Sequence, residues 1–598
     1  MYSLSEIPMR SGMRSESPVL LSVVIAAALI SGCQGSANSS ATPRASSEES
    51  LRNTRASASE ELRPLIEQFV DARMGENDRR ELRDVSAESF LGEIASDRQL
   101  LSQLHDIAPD GLSPPERIDR KLMIGLLESD VYSAEKRRMW EIDASLYVPA
   151  RQIGALLEPQ AAKPPGQRAD DLRKLLVRIP EHVAEGKRNL RHPPRRFTEA
   201  AIFKTEATIK SLKEDTPSLV PPAAGSGGDL KQAVEAALQA LDEYNRFLRD
   251  ELLPRSTGNW AIGREHYDYI LQHRWHLDAD ADDILARGLK AFEDTEALAQ
   301  EVSARLEPGK HWSEVYEKLT REHPAADQIK DAYQKEIDAA REFVLKNQVV
   351  TLPAGERVIT VDTPPAMRRS SPFGTFQSVD QFDVGMEGRL VLTPIEDWMS
   401  PEQRAQRLRS HHYAWIPIIA VHEAYPGHHV DALKTRENPR ILRKVVREPI
   451  FSEGWGLFTE ELMFELGFLE GDAVRLTQLR NRLWRAARVI MDVSLHTGRM
   501  SFEEALDFLT ERVRFERYAA ELEVGMYTER PTYVLGYLIG MQEIMSIRDE
   551  YVARFGQPSP PSEFYDKLLR VGSIPPVLVR EALFDEVSTE SSSSAGDD

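Results

Sequence analysis

Between residues 415 and 429 the chain reads Trp415-Ile-Pro-Ile-Ile-Ala-Val-His422-Glu-Ala-Tyr-Pro-Gly-His428-His429. This stretch begins as an apolar helix and leads into three histidines and a carboxylate. Zinc hydrolases commonly place two histidines four residues apart on one helix. On a regular helix, at about 100° per residue, His428 lies on the face opposite to His422, whereas His429 shares that face but lies roughly 10 Å further along the axis. Neither pair can share an ion on an ideal helix.

Pro426 offers a way to bring two of these histidines together. It has no N–H to donate to the carbonyl of His422, and its ring clashes there, so the helix must kink or bulge. Gly427 tolerates the backbone angles that a bulge requires. A bulge of two residues would restore the four-residue phase and bring His428, rather than His429, beside His422. The sequence therefore favours His422 and His428 as metal ligands, and the alternative is that these histidines are ordinary surface or helix-end residues.

A second carboxylate motif follows on the next predicted helix, Phe451-Ser-Glu453-Gly-Trp455-Gly-Leu-Phe-Thr-Glu460-Glu461. Two histidines and one glutamate leave a coordination position open for water, as in catalytic rather than structural zinc sites. We therefore expect a Zn²⁺ site formed by His422, His428 and Glu453. Glu423 would act as general base by accepting a proton from the water that zinc acidifies. The two glutamates at the end of the motif are expected to be solvated or to support the ligands without binding the metal.

Helical spacing dominates the rest of the chain. Apolar residues recur at three- and four-residue intervals in several segments, including 230–252 and 476–493. Strand signals are few, and the clearest, 358–361 and 389–393, precede the histidine-rich segment. The sequence therefore predicts a mainly α-helical protein with a small β-sheet near the site. Our working layout is a helical N-terminal half, 59–350, that packs against a zinc-binding catalytic half, 351–588.

The two ends of the chain have a different character from this interior. Residues 19–30 form an apolar run that is too short to span a membrane but suits the core of a signal peptide. The run ends in Ile30-Ser-Gly-Cys33, which resembles the bacterial lipoprotein processing site. Because Cys33 is the only cysteine, an intrachain disulfide is excluded, and carrying lipid is its expected role. The alternative is a plain secretory signal with a chance cysteine.

These features predict three terminal segments: a lipoprotein signal peptide (1–32), a flexible tether (33–58) and a disordered C-terminal tail (589–598). The 598 residues include 41% hydrophobic and 29% charged residues, a balance typical of water-soluble globular proteins. The formal net charge of −21 repels phosphate backbones and argues against general nucleic-acid binding. The expected location is the bacterial cell envelope, with the folded part joined to a membrane through lipid on Cys33.

Several motifs occur in one order along the C-terminal half: His-Glu-x-x-Pro-Gly-His (422–428), Glu-Gly-Trp (453–455), Trp-Arg-Ala-Ala-Arg (484–488), Tyr-Leu-Ile-Gly (537–540) and Val-Gly-Ser-Ile-Pro-Pro (571–576). In these motifs the chain resembles bacterial domain of unknown function family 885, many of whose members are described as lipoproteins. The resemblance implies a mostly helical, zinc-metallopeptidase-like fold of gluzincin style. It adds little to the N-terminal half beyond helicity.

The resemblance also implies further site residues. In such enzymes a tyrosine or histidine from a distant helix donates a hydrogen bond to the oxyanion formed when water attacks a carbonyl, which makes Tyr537 and His496 the catalytic candidates. Asp492 precedes His496 by four residues, so the two can form a carboxylate–histidine pair on one helix face. The alternative is that they are buried polar residues satisfied within a helix bundle. The strand at 389–393 could bind an extended substrate by edge pairing.

Together these features predict a lipid-anchored zinc metallopeptidase that cleaves peptide bonds. The same zinc-activated water would serve a hydrolase acting on another amide or ester, and the sequence does not separate these two functions. A third hypothesis is a non-catalytic envelope lipoprotein. Glu423 argues against it, because a structural zinc site needs no base beside its ligands.

Overall fold

The structure is a computed structural model of the chain and describes residues 43–76, 82–157, 164–219, 227–363, 368, 374–382, 385–396 and 399–594. The predicted signal peptide (1–32) and the candidate lipidation residue Cys33 lie outside these residues. None of the helices in the described ranges combines the length and the hydropathy that crossing a bilayer requires.

Helices account for 73% of the structure, which confirms the predicted mainly α-helical fold. In chain order they are α1 (Pro43–Glu76), α2 (Ala87–Asp106), α3 (Pro114–Arg137), α4 (Met139–Ile142), α5 (Ala150–Leu157), α6 (Pro165–Asn189), α7 (Arg195–Asp215), α8 (Gly227–Arg246), α9 (Arg264–His273), α10 (Ala281–Leu306), α11 (Trp312–Leu319), α12 (Ile329–Lys346), α13 (Pro401–Arg409), α14 (Ile416–Ile419), α15 (His428–Glu437), α16 (Ile441–Val445), α17 (Pro449–Glu465), α18 (Asp472–His496), α19 (Phe502–Arg512), α20 (Arg517–Glu529), α21 (Leu535–Phe555), α22 (Ser562–Arg570) and α23 (Pro576–Ser594). The helical segments predicted at 230–252 and 476–493 correspond to α8 with the π-helical turn that follows it and to α18.

The small sheet contains three strands, β1 (Arg357–Asp362), β2 (Gly374–Gln377) and β3 (Glu387–Leu392), in the order β1-β3-β2. Strand β3 pairs in parallel with β1 and antiparallel with β2. The segments predicted at 358–361 and 389–393 are therefore strands. However, the proposal that 389–393 binds substrate at an edge is wrong, because β3 is central and both of its edges already carry backbone hydrogen bonds.

Two large hydrophobic cores lie within the described residues. The smaller core consists of residues between Leu82 and Leu252, mainly from α5 to α8. The larger core draws on residues between Ala58 and Phe584, so it joins helices from both sides of residue 350. Within it α10 packs along α18, and α17 packs along α21. The division into an N-terminal and a catalytic half stays a prediction, since the larger core crosses the proposed boundary.

Both ends of the described chain are more helical than the sequence suggested. Helix α1 begins at Pro43, so residues 43–58 of the predicted tether are helical, and α23 extends to Ser594, into the predicted tail. Most residues of 48–58 are Glu, Leu, Arg, Ala and Ser, and the first four have good helix propensity. Further turns also propagate from an existing helix more easily than a new helix nucleates.

Candidate metal centre

The helix that carries His422 is interrupted. Helix α14 continues into a π-helical turn, Ala420–Ala424, after which Tyr425 is extended and α15 starts afresh at His428. The N–H of Gly427 donates to the carbonyl of Val421 at 3.0 Å, because Pro426 has no N–H with which to continue the helix. A Cβ at Gly427 would lie 1.8 Å from the carbonyl oxygen of His422, so only glycine fits here. The hydrogen bond from Gly427 to Val421 spans six residues, two more than in an α-helix, as expected for the two-residue bulge that the sequence suggested.

This break brings His422 and His428 together with Glu453 of α17. The His428 Nε2 lies 3.4 Å from the Glu453 Oε2, and the His422 Nε2 lies 3.9 Å from the same oxygen. The two imidazole rings stand nearly perpendicular, at 88°, with centroids 4.8 Å apart. One ligand atom from each residue lies within 4.8 Å of the others. We call these three residues the metal cluster.

The donor set fits Zn²⁺. In a tetrahedral site with bonds of roughly 2.0–2.1 Å, ligand atoms lie roughly 3.3–3.5 Å apart. The Glu453 Oε2 lies 3.4 Å from the His428 Nε2, within that range, and 3.9 Å from the His422 Nε2, slightly beyond it. Burial alone would raise the pKa of the Glu453 carboxyl, but the two neighbouring imidazoles hold that pKa well below its usual range. The cluster is therefore a half-buried, ionised carboxylate facing two nitrogen donors, which is the chemistry that a borderline-soft dication selects.

His422 is held from behind by Glu460, two helical turns after Glu453. The Glu460 Oε1 lies 2.9 Å from the His422 Nδ1, and Glu460 is buried. Burial lowers the pKa of His422 on its own, but the neighbouring carboxylates of Glu453 and Glu460 raise that pKa to about 10. A Cβ at Gly456 would lie 2.8 Å from the His422 Nε2, so α17 approaches the imidazole closely only because this residue is glycine. Glu460 thus orients the imidazole with its Nε2 toward Glu453.

The other glutamate of this motif, Glu461, has a different role. It pairs with Arg475 at 2.8 Å and with Arg482 at 3.2 Å, away from the histidines. Of the two glutamates that the sequence treated alike, only Glu460 therefore supports a cluster residue. The signal that separates them is spacing, because Glu460 is seven residues after Glu453 and so shares its helix face.

Glu423, the predicted general base, lies in the π-helical turn directly after His422 and is half-buried. Its negative charge contributes to the raised pKa of His422, which places it electrostatically at the cluster. Among the described residues its carboxylate has no hydrogen-bond partner. The carboxylate of Glu423, next to His422 in the chain, can therefore still accept a hydrogen bond or a proton.

Two tyrosines lie on the α21 side of the metal cluster. The hydroxyl of Tyr533 donates to the Glu453 Oε1 at 3.5 Å, and its ring stands edge-on to that of Tyr537, with centroids 6.5 Å apart. Burial and the charge of Glu453 raise the pKa of Tyr537 well above its usual value. The structure therefore brings the predicted Tyr537 to the site, together with Tyr533, which the sequence analysis missed although it precedes Tyr537 by four residues.

His496, by contrast, is not brought to the metal cluster. It is fully buried at the end of α18, where its Nε2 hydrogen-bonds the carbonyl of Tyr527 at 2.9 Å. Its ring packs against Trp260 and Tyr267, and burial lowers its pKa to about 3. The Asp492 Oδ1 lies 3.8 Å from the His496 Nε2, too far for a hydrogen bond. These contacts account for His496 as a core residue, as the alternative interpretation of the sequence had it.

His429 also points away from the metal cluster. Its Nε2 lies 3.0 Å from Glu356, a residue just before β1, which also accepts hydrogen bonds from Tyr425 at 2.6 Å and Arg341 at 2.7 Å. We call Glu356, Arg341, Tyr425 and His429 the Glu356 cluster. The two histidines at 428 and 429 therefore face different carboxylates, and His428, as the sequence favoured, is the one beside His422.

Comparison with known proteins gives a family and a fold. The model of a family described as bacterial protein of unknown function (DUF885) matches residues 70–583. No curated protein matches the chain. A solved structure described as a putative lipoprotein of unknown function from Shewanella oneidensis is similar with a TM-score of 0.73 and 21% identity, covering 89% of this chain and 99% of that one.

A second solved structure, described as the putative lipoprotein from Colwellia psychrerythraea, gives a TM-score of 0.70 and 17% identity, covering 91% of this chain and 99% of that one. At these identities the two structures show a shared fold. Because the family model spans most of the chain, from the end of the first helix to the last, the resemblance seen in the sequence motifs is confirmed: the chain belongs to the DUF885 family of bacterial proteins of unknown function.

Proposed function

We propose that this chain is a zinc-dependent hydrolase, and specifically a lipid-anchored metallopeptidase. The observation that carries the proposal is the convergence of His422, His428 and Glu453 from three elements, the π-helical turn after α14, α15 and α17, with Glu423 next to His422 in the chain. A structural zinc site is normally closed by four protein ligands, whereas this set supplies three and leaves a position for water. A pair of histidines on one segment and a glutamate on a later helix is also the ligand order of gluzincin-style enzymes, to which we assign the fold.

The chemistry follows from the positions of the side chains. Zinc bound to the cluster would polarise a substrate carbonyl and acidify a water molecule. Glu423, with free acceptor capacity, would accept the proton of that water and pass it to the leaving group. The hydroxyls of Tyr537 and Tyr533 are the nearest candidates to donate a hydrogen bond to the oxygen of the attacked carbonyl. Their raised pKa values keep both hydroxyls protonated, as a donor requires.

The location in the envelope is part of the same proposal. Two features support it: the lipoprotein-like sequence that ends at Cys33, and the description of two proteins of similar fold as putative lipoproteins. A peptide or another amide would then meet the metal cluster outside the cytoplasm.

The test uses residues 34–598 loaded with zinc, assayed for bound metal and for hydrolysis of a peptide library. Replacing Glu423 by glutamine should leave bound zinc near one equivalent and lower kcat/KM roughly 100-fold or more, the usual contribution of a general base. Glu437→Gln, an exposed position on α15, is the matched control and should retain full activity.

Each other outcome points to a different function. Equal activity in the Glu423→Gln protein would contradict the proposed base. Hydrolysis of esters or non-peptide amides without peptide hydrolysis would favour the second hydrolase hypothesis. Zinc binding without hydrolysis of any of these substrates would favour the non-catalytic envelope lipoprotein.

A further inference from the structure

Within the described part of the chain, Arg485 is a buried cation that forms no ion pair. Only 6% of its surface is exposed, and its Nε and Nη1 atoms have no hydrogen-bond partner. The neighbouring arginines on α18 differ from it: Arg482 pairs with Glu461 at 3.2 Å, and the Nε of Arg488 donates to Glu523 at 2.7 Å. A buried charge without a counter-charge is costly, so Arg485 requires an explanation that its neighbours do not.

Arg485 lies beside the metal cluster. Its guanidinium carbon is 4.4 Å from the centroid of the Trp484 ring and 5.7 Å from that of Tyr537, the tyrosine whose pKa is raised by the charge of Glu453. The charge of Glu460, which holds His422, also acts on Arg485. The guanidinium therefore contacts the Tyr537 ring and lies within electrostatic range of Glu460.

A second unpartnered polar group accompanies it. Asn481 precedes Arg485 by one helical turn on the same face of α18 and is fully buried. Neither its Oδ1 nor its Nδ2 atom has a hydrogen-bond partner among the described residues. Buried amides are normally satisfied, so this is an independent sign that a group is missing from the protein's own contacts. Together the two side chains offer a fork of N–H donors and an adjacent amide.

Within the described part of the chain, no carboxylate hydrogen-bonds the Nε or Nη1 of Arg485. Glu460 binds His422 through its Oε1 and leaves a buried Oε2 without a hydrogen-bond partner. Glu461 pairs with two other arginines, and Glu523 with Arg488 and the indole of Trp484. The planar guanidinium matches a carboxylate in bidentate geometry better than it matches any other common ligand group. A carboxylate from outside the chain would supply the bidentate partner that none of these side chains supplies.

We propose that Arg485, assisted by Asn481, binds a carboxylate of the substrate next to the metal cluster. The inference rests on the proposed function in that it names the substrate class of the same site: peptides that carry a free carboxylate close to the bond to be cleaved. That carboxylate belongs either to the C-terminus of the peptide or to an acidic side chain, and the two sources present the same chemistry to Arg485.

Binding to the zinc-loaded Glu423→Gln protein tests this without turnover. Isothermal titration calorimetry would compare three probes: Ala-Ala-Phe with a free C-terminus, Ala-Ala-Phe amide, and Ala-Ala-Glu amide. We expect one of the two carboxylate-bearing probes to bind roughly 30-fold or more tightly than Ala-Ala-Phe amide. The amide probe lacks the carboxylate that would pair with Arg485, and losing one partner of a buried charge pair weakens binding by about this much. The probe that gains identifies the source of the carboxylate.

Variants at Arg485 then test whether this residue causes the difference in affinity between the acid and amide probes. Arg485→Gln in the same protein should reduce the ratio of acid to amide affinity to near one, and Arg485→Lys, which keeps the charge but loses the fork, should give an intermediate ratio. Arg482→Gln is the matched control and should keep the ratio, because Arg482 is paired with Glu461. Zinc content and unfolding midpoint of each variant check that the cluster and the fold are retained.

Three results would overturn the inference: equal binding of all three probes to the protein with Arg485 intact, no binding of any probe, or an acid-to-amide ratio that survives in Arg485→Gln and Arg485→Lys. Failure of the proposed function is a separate outcome. Suppose that binding is selective for carboxylates and depends on Arg485, but the protein with Glu423 intact hydrolyses no peptide. That result would contradict the proposed peptidase activity and still support the carboxylate site.

Discussion

The metal cluster contains His428 and the Glu356 cluster contains His429, the next residue in the chain. The two clusters differ in how many hydrogen bonds the protein donates to the central carboxylate. The side chain of Glu356 is completely buried and accepts hydrogen bonds from Arg341, Tyr425 and His429. The side chain of Glu453 is 18% exposed, and its neighbours are two imidazoles at 3.4 and 3.9 Å and the Tyr533 hydroxyl at 3.5 Å.

The difference teaches how to separate a ligand site from a structural site when both contain histidine and glutamate. A carboxylate whose oxygens accept several short hydrogen bonds from the protein itself holds elements together, here α12, the start of β1 and the segment before α15. A carboxylate left with long contacts to nitrogen donors, near solvent, has capacity for a cation. By this criterion His428 is a candidate metal ligand, and His429 is a residue that stabilises the fold.

The largest expected effect separates these two histidines. His428→Ala removes one of the three proposed zinc ligands. Zinc affinity should therefore fall by more than the 10- to 100-fold loss that is typical when a residue hydrogen-bonded to a ligand is replaced, and hydrolysis should fall with it. His429→Gln, whose amide can still donate to Glu356, should keep about one equivalent of zinc. Competition with a chromophoric chelator measures both affinities. Zinc retained by the first variant and lost by the second would reverse the assignment.

A smaller effect is expected from the residue behind His422. Glu460→Gln weakens the hydrogen bond to the His422 Nδ1 and should lower zinc affinity about 10- to 100-fold while leaving the ligands in place. Glu461→Gln is the matched control one position later, where the carboxylate pairs with Arg475 and Arg482. If the two variants lose zinc equally, the contrast between Glu460 and Glu461 has no functional meaning.

Much of the site was predictable because its signals are local. The irregular spacing of His422 and His428 indicated a break at Pro426, and the structure contains one. The helix face of Glu453 could have singled out Glu460, since a seven-residue interval covers nearly two full turns. Arg485 lay within a motif that carried the family resemblance, but nothing in a linear sequence shows that an arginine is buried without a partner.

The remainder depends on contacts between distant parts of the chain. The order of the strands placed β3 in the centre of the sheet, and no periodicity within 389–393 distinguishes a central strand from an edge strand. Glu356 meets His429 across 73 positions, so neither residue predicts the other. His496 shows the same limit in reverse: the four-residue spacing from Asp492 is real, but the packing of Trp260 and Tyr267 decided its role.

The last expected effect concerns the stability of the fold rather than zinc affinity, and it tests the Glu356 cluster itself. Burial alone would raise the pKa of Glu356, but hydrogen bonds from His429, Tyr425 and Arg341 hold that pKa below its ordinary value of 4.5. Because the pKa is lowered in the folded state, the unfolded chain takes up the proton first as pH falls. The contribution of Glu356 to stability is therefore complete above pH 4.5 and is lost as pH falls through that value toward the folded pKa.

Glu356→Gln should accordingly be less stable than the unmodified protein by roughly 3 kcal/mol at pH 7, where a buried charge pair has lost one partner. The difference should shrink as the pH is lowered below about 4.5, since protonation removes the same charge from the unmodified protein. Urea unfolding at a series of pH values measures it, with zinc content at pH 7 as a parallel readout. A stability difference that does not change with pH would mean that Glu356 contributes by packing rather than by charge, and loss of zinc at pH 7 would show that the two clusters are not separable.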